Sequence, residues 1–236
     1  MPHGCHSVAD LFKDYAAHKA RDEWHGEWGA ALLYRPIAIL AAAPLLRLGV
    51  PASAITLAGL LAALSLPVQA LILGPGGYVA VGLTALLVAI LDCLDGTMAR
   101  ASATVSRSGH YLDFVTDIVF RAAHYAAIGI LAQGLPPAWL PVLPLAILAA
   151  LLAIAARLCR VYGERFRPEA YDHDHAAPRG PSALLFSVIS GLDPLLPLAV
   201  LALGALGGLG WLVVWLLAYS ALDFLYTQYA VLRGMR

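Results

Sequence analysis

Residues 76–100 read GGYVAVGLTALLVAILDCLDGTMAR, and fourteen residues from Tyr78 to Leu91 carry no charge. A membrane-spanning helix needs ~20 mostly apolar residues. Asp92 and Asp95 therefore arrive while the segment should still lie within the bilayer. A charged side chain at the middle of a spanning helix costs roughly 2.5–3.5 kcal/mol on insertion scales, so carboxylates held at such depth are partnered and serve a function.

The rest of the chain agrees with a membrane setting. Of 236 residues, 61% are hydrophobic and 13% charged, and the mean hydropathy is +0.76. A soluble domain of this length has no use for that much apolar surface. Six segments read as spans, at about 53–73, 77–100, 108–133, 137–162, 182–205 and 208–232. Breaker-rich connections separate several of them, such as GPGG after Leu73 and GLPP from Gly134. The expected fold is an all-α integral membrane protein. Residues 51–236 form the six-helix domain and residues 1–50 a cytoplasmic segment.

Within that segment, ALLYRPIAILAAAPLLRLGV predicts an amphipathic helix at the membrane interface, with Arg35 and Arg47 reaching toward headgroups. The polar, acidic stretch before it lacks the form of a signal peptide. Fourteen of the fifteen Lys and Arg residues fall in or beside the loops of one side, the exception being Arg121. That asymmetry puts this side and both termini in the cytoplasm. Cys5, Cys93 and Cys159 form no disulfide framework and are expected as free thiols. A net charge of zero gives no sign of nucleic acid.

The third span offers a second acidic pair, Asp113 and Asp117. Spacings of i,i+3 for Asp92 and Asp95 and i,i+4 for Asp113 and Asp117 put each pair on one helical face. Two adjacent antiparallel helices then present four carboxylates at similar depth. Like charges so placed repel unless a cation sits among them, and hard oxygen donors suit Mg²⁺ or Mn²⁺. Two such ions can clamp a diphosphate. The small residues Gly96, Ala99 and Gly109 leave room for a bulky ligand, and Arg100 has the planar fork that meets phosphate oxygens.

The stretch DCLDGTMARASATVSRSGHYLDFVTD, residues 92–117, resembles the signature of the CDP-alcohol phosphotransferases. Its fixed positions are Asp92, Asp95, Gly96, Ala99, Arg100, Gly109, Asp113 and Asp117, eight within 26 residues and none missing. The resemblance implies a membrane enzyme in phospholipid biosynthesis. A CDP-linked donor, CDP-diacylglycerol by family habit, gives its substituted phosphate to the hydroxyl of a small alcohol, and CMP leaves. It implies that Asp92, Asp95, Asp113 and Asp117 hold two divalent cations, with Asp117 also the general base. Gly96, Arg100 and Gly109 would line the CDP site, and the enzyme would be a homodimer. Many members carry a Pro-Asn pair before the first span; LGVPASAIT has Ala52 and Ser53 there. Ser53 and Thr56 are then the available hydrogen-bond donors to the nucleotide.

Three further charged residues lie within spans. Arg121, one turn after Asp117, either pairs with it or binds an anionic acceptor group. Asp193 and Asp223 either shape the acceptor pocket or serve as a cap and a hydrated carboxylate. The tract Asp172, His173, Asp174 and His175 reads as a solvated turn sooner than as a metal site. Within the family type, the second reading is headgroup transfer from a CDP-alcohol to a diacylglycerol-like hydroxyl. A cation transporter using the aspartates would need polar residues continuing to the far side, and that half of each span is almost wholly apolar.

Overall fold

The computed structural model describes residues 7–164 and 191–234. Among them the chain is helical and contains no strand. The helices are α1 (Val8–His18), α2 (Ala20–Gly26), α3 (Trp28–Arg47), α4 (Ala52–Leu73), α5 (Tyr78–Ala101), α6 (Arg107–Leu131), α7 (Val142–Glu164), α8 (Leu196–Ala205) and α9 (Leu209–Gly234). Short 3-10 turns at Gly74–Gly77 and Asp193–Leu195 complete the order.

Five helical stretches among the described residues are long and apolar enough to cross a membrane: Trp28–Arg47, Ala52–Ala101, Arg107–Leu131, Val142–Gly163 and Leu209–Arg233. The second holds α4 and α5, of 22 and 24 residues, joined at the GPGG turn. The chain is thus a multi-pass membrane protein, helical and without strands among its described residues. Of the segment expected at 182–205, the described part is the 3-10 turn and α8; its start lies outside the described residues, as does the tract 172–175.

Two compact units share these helices. One comprises the described residues of 1–63, 85–117 and 176–197, the other those of 64–84, 118–175 and 198–236.

In the first unit, α1 is amphipathic. Val8, Leu11 and Tyr15 recur at helical spacing and turn inward, while Asp10, Lys13 and Asp14 are exposed. Ser7 caps this helix, its Oγ accepting the Asp10 N–H at 3.2 Å. Burial and the nearby Glu23 carboxylate push the Tyr15 phenol up to about 12.

α3 differs from expectation. Its outward residues Leu32, Ile37 and Leu40 are apolar, and its inward face carries Ala30, Tyr34, Arg35, Ala38, Ile39, Ala42 and Ala43. It therefore lacks the outward polar face of an amphipathic helix, and Arg35 turns into the protein instead of reaching for headgroups. Arg47 is exposed. The inward face packs on Ile55 of α4 and on Cys93, Leu94 and Met98 of α5.

In the second unit, α7 and α9 pack along each other. Gly163 of α7 brings a would-be Cβ to 3.1 Å of the Val231 side chain, so the two backbones come close. The Arg160 Nη1 donates to Asp223 Oδ1 at 2.7 Å and to Thr227 Oγ1 at 2.8 Å across the same pair. Elsewhere in the unit, Gln69 Nε2 of α4 donates to Thr84 Oγ1 of α5 at 3.1 Å, pairing two polar groups within apolar helices. Cys93 and Cys159 are free thiols.

Candidate active site

All eight motif residues lie in the first unit, on the last turns of α5 and the first turns of α6. The five-residue link Ser102–Ser106 joins these helices. The Ala103 N–H donates to the Arg100 carbonyl at 3.1 Å and the Thr104 N–H to the Ala99 carbonyl at 2.9 Å. This pair of bonds is a Schellman ending. Ala103, at φ 52°, takes the left-handed position that glycine usually fills.

Ser106 then caps α6, its Oγ accepting the Gly109 N–H at 3.1 Å. A Cβ on Gly109 would stand 3.2 Å from that Oγ, tighter than ordinary contact. Both ends of the link are closed by hydrogen bonds, and this sets the register of one aspartate pair against the other.

Asp92 and Asp113 are exposed, Asp117 is half-buried and Asp95 is 6% exposed. Asp92 lies within electrostatic reach of Asp113, Asp95, Asp117 and Glu27. The Thr56 hydroxyl of α4 donates to Asp95 Oδ2 at 2.6 Å. It also lies 3.2 Å from the Ala52 carbonyl, but a single proton favours the shorter bond to a charged acceptor. Thr56 thus commits its hydroxyl proton to Asp95. Ser53, nearly one turn earlier, is exposed.

Arg100 is half-buried, and its guanidinium folds back along α5. A Cβ on Gly96 would stand 3.4 Å from Arg100 Nη1, with no other neighbour within 4 Å. Gly96 and Ala99 are themselves half-buried.

Sequence reasoning missed the group behind this face. Arg35 Nε donates to Glu23 Oε2 at 3.1 Å, and its Nη2 makes a second bond to Glu23 Oε1. Its Nη1 donates to the Cys93 carbonyl at 2.6 Å and to Thr97 Oγ1 at 3.0 Å. Glu23 and Arg35 are 3% and 6% exposed, which makes this a buried pair with its polar groups satisfied. A signal was present: Arg35 shares a helical face with Ala31, Ala38 and Ala42, small residues that let a neighbouring helix approach.

The expected acceptor residues are distributed differently. Asp193 belongs to the first unit, half-buried, and begins the 3-10 turn whose N-cap is Leu192; no side-chain cap forms there. Arg121 and Asp223 belong to the second unit. Arg121 is half-buried, and Asp223 is engaged by Arg160.

The profile of the CDP-alcohol phosphatidyltransferases matches residues 50–222, most of the chain. The chain belongs to that family. It is accordingly a membrane phosphotransferase, an enzyme that moves phosphate-containing groups in phospholipid synthesis. No curated protein matches it. The match leaves α1–α3 and the end of α9 outside.

The family is generally dependent on divalent metal. Four carboxylates form a hard-oxygen donor set that fits Mg²⁺ or Mn²⁺ by its chemistry. Among the described residues, no three His, Cys, Asp or Glu side chains converge closely enough to hold an ion as they stand.

Proposed function

We propose that this phosphotransferase moves the phosphatidyl group of CDP-diacylglycerol to the hydroxyl of a small alcohol, releasing CMP and requiring two divalent cations, Mg²⁺ or Mn²⁺. The observation that carries the reading is the complete motif on two helices whose link is closed at both ends. Asp92, Asp95, Asp113 and Asp117 would hold the cations, which would neutralise charge on the donor diphosphate and on the departing phosphate.

The chain's own groups do the rest. The acceptor oxygen attacks the phosphorus distal to the cytidine, and the bond from that phosphorus to the CMP oxygen breaks, its electron pair leaving with CMP. Asp117 takes the acceptor proton as general base. Asp95, held by Thr56, is the fixed member of the acidic set. Arg100 meets phosphate oxygens, while Gly96, Ala99 and Gly109 admit the nucleotide, with Ser53 at its edge. Positioning and electrostatics supply most of the rate in such transfers.

In this reading residues 51–236 are the catalytic domain, with six spans, and residues 1–50 an N-terminal segment. The active site and both termini face the cytoplasm. The enzyme works as a homodimer among membrane lipids, and Asp193, in the same unit as the motif, helps to shape the acceptor pocket.

A panel of alcohols offered with radiolabelled CDP-diacylglycerol, followed by identification of the lipid product, tests the donor. Product with one alcohol supports the reading. Failure with all of them, together with headgroup transfer from a CDP-alcohol to diacylglycerol, favours the opposite direction of transfer.

A further inference from the structure

We propose that the buried Glu23–Arg35 pair is a positioning device for the acidic face of α5, supplied by a segment that lies outside the family match. The inference rests on the proposed function for the role of that face, but the geometry stands on its own.

Arg35 Nη1 reaches the Cys93 carbonyl at 2.6 Å and Thr97 Oγ1 at 3.0 Å, and Thr97 Oγ1 itself donates to the Cys93 carbonyl at 2.8 Å. Cys93 lies between Asp92 and Asp95 in sequence. At about 100° per residue, Cys93 and Thr97 sit about 100–140° around the helix from Asp92, behind the face that carries the carboxylates. A grip at this point opposes rotation of α5 about its own axis, a motion that would swing Asp92 and Asp95 away from Asp113 and Asp117 while leaving the helix intact.

The other half of the guanidinium is fixed by both oxygens of Glu23, and the Tyr15 ring lies 5.6 Å from its centre. Arg35 thus draws on α1, α2 and α3 at once to hold one turn of α5. A bidentate fork has this property; a lysine, with a single point of charge, lacks it.

Removing one partner leaves a buried charge unpaired and can unfold the protein. The informative variant therefore replaces both, Glu23→Leu with Arg35→Met, keeping the volume and leaving no orphaned charge. Two readouts are taken on it. The first is kinetic: kcat for CMP release falls by about 10-fold or more, as a small misplacement of reacting groups produces, while the KM for CDP-diacylglycerol stays within about threefold and the melting temperature stays near the parent's.

The second readout needs no activity. In a chain whose native cysteines are replaced by alanine, Asp92→Cys and Asp113→Cys are bridged with a short bismaleimide, and the bridging rate falls several-fold when the pair is removed. A folded double variant with parental bridging rate and parental kcat overturns the proposal. Slower bridging in a protein that never releases CMP from any donor supports the positioning role and sinks the proposed function instead.

Discussion

The bond from Thr56 to Asp95 separates two roles for one hydroxyl. Thr56→Val keeps the side chain's shape and removes only the donor to Asp95 Oδ2, a 2.6 Å bond between residues 8% and 6% exposed. A hydrogen bond to a charged group contributes about 1.5–3 kcal/mol. If Asp95 must be held for the reaction, that energy is lost at the transition state, and about 1.4 kcal/mol per decade gives a kcat lowered about 10- to 150-fold. The donor KM should change less than about threefold, since the nucleotide itself loses no contact. Steady-state CMP release in detergent measures both constants, and a melting curve on the same sample shows whether the fold survives. Thr56→Ser keeps the hydroxyl and should recover most of the activity. A raised donor KM at unchanged kcat would refute the reasoning, because it would mean that the hydroxyl touches the nucleotide.

The remaining predictions concern the parts that hold the site. Ala103→Gly should stabilise the protein by about 1 kcal/mol, since glycine relieves the left-handed strain at φ 52°; the melting temperature should rise with activity unchanged, and no rise would contradict the Schellman ending. Glu23→Gln should destabilise by about 3–5 kcal/mol by leaving Arg35 buried with a neutral partner, whereas the paired Leu and Met replacement should melt close to the parent; equal melting of all three would contradict a buried ion pair. Asp223→Asn should weaken the α7–α9 contact by only about 1 kcal/mol, because Arg160 is 36% exposed. A melting temperature lowered as far as by Glu23→Gln would contradict that weak, half-exposed contact.

The helices and the acidic pairs were legible because each rests on a local rule. Apolar length marks α4–α7 and α9, and GPGG and GLPP mark two of their breaks. Spacing alone assigns Asp92 with Asp95 and Asp113 with Asp117 to single faces. What escaped the sequence depends on tertiary packing. Arg35 sits in an apolar helix, where an arginine most often extends to headgroups, and only the small residues on its face hint that it turns inward. Glu23 looks like any charge in KARDEWHGEWG, since nothing local reveals that an arginine twelve residues later will pair with it in the interior. Thr56 reads as a free donor until α4 and α5 are packed together. The Schellman ending was hidden because alanine stands where glycine would have announced it. The outward face of α3 was misjudged for the same reason as Arg35: the two polar side chains in the middle of the helix, Tyr34 and Arg35, are both turned inward.

The central claim is that the four aspartates of α5 and α6 serve a metal-dependent transfer that releases CMP. The direct measurement is CMP release from CDP-diacylglycerol by the purified protein with its acceptor alcohol, with and without Mg²⁺ or Mn²⁺, for the parent chain and Asp117→Asn. Release that requires the divalent ion and falls by at least about 100-fold in the variant, as loss of a general base produces, is the predicted result. Release that persists in chelator, or that Asp117→Asn leaves intact, would contradict the account.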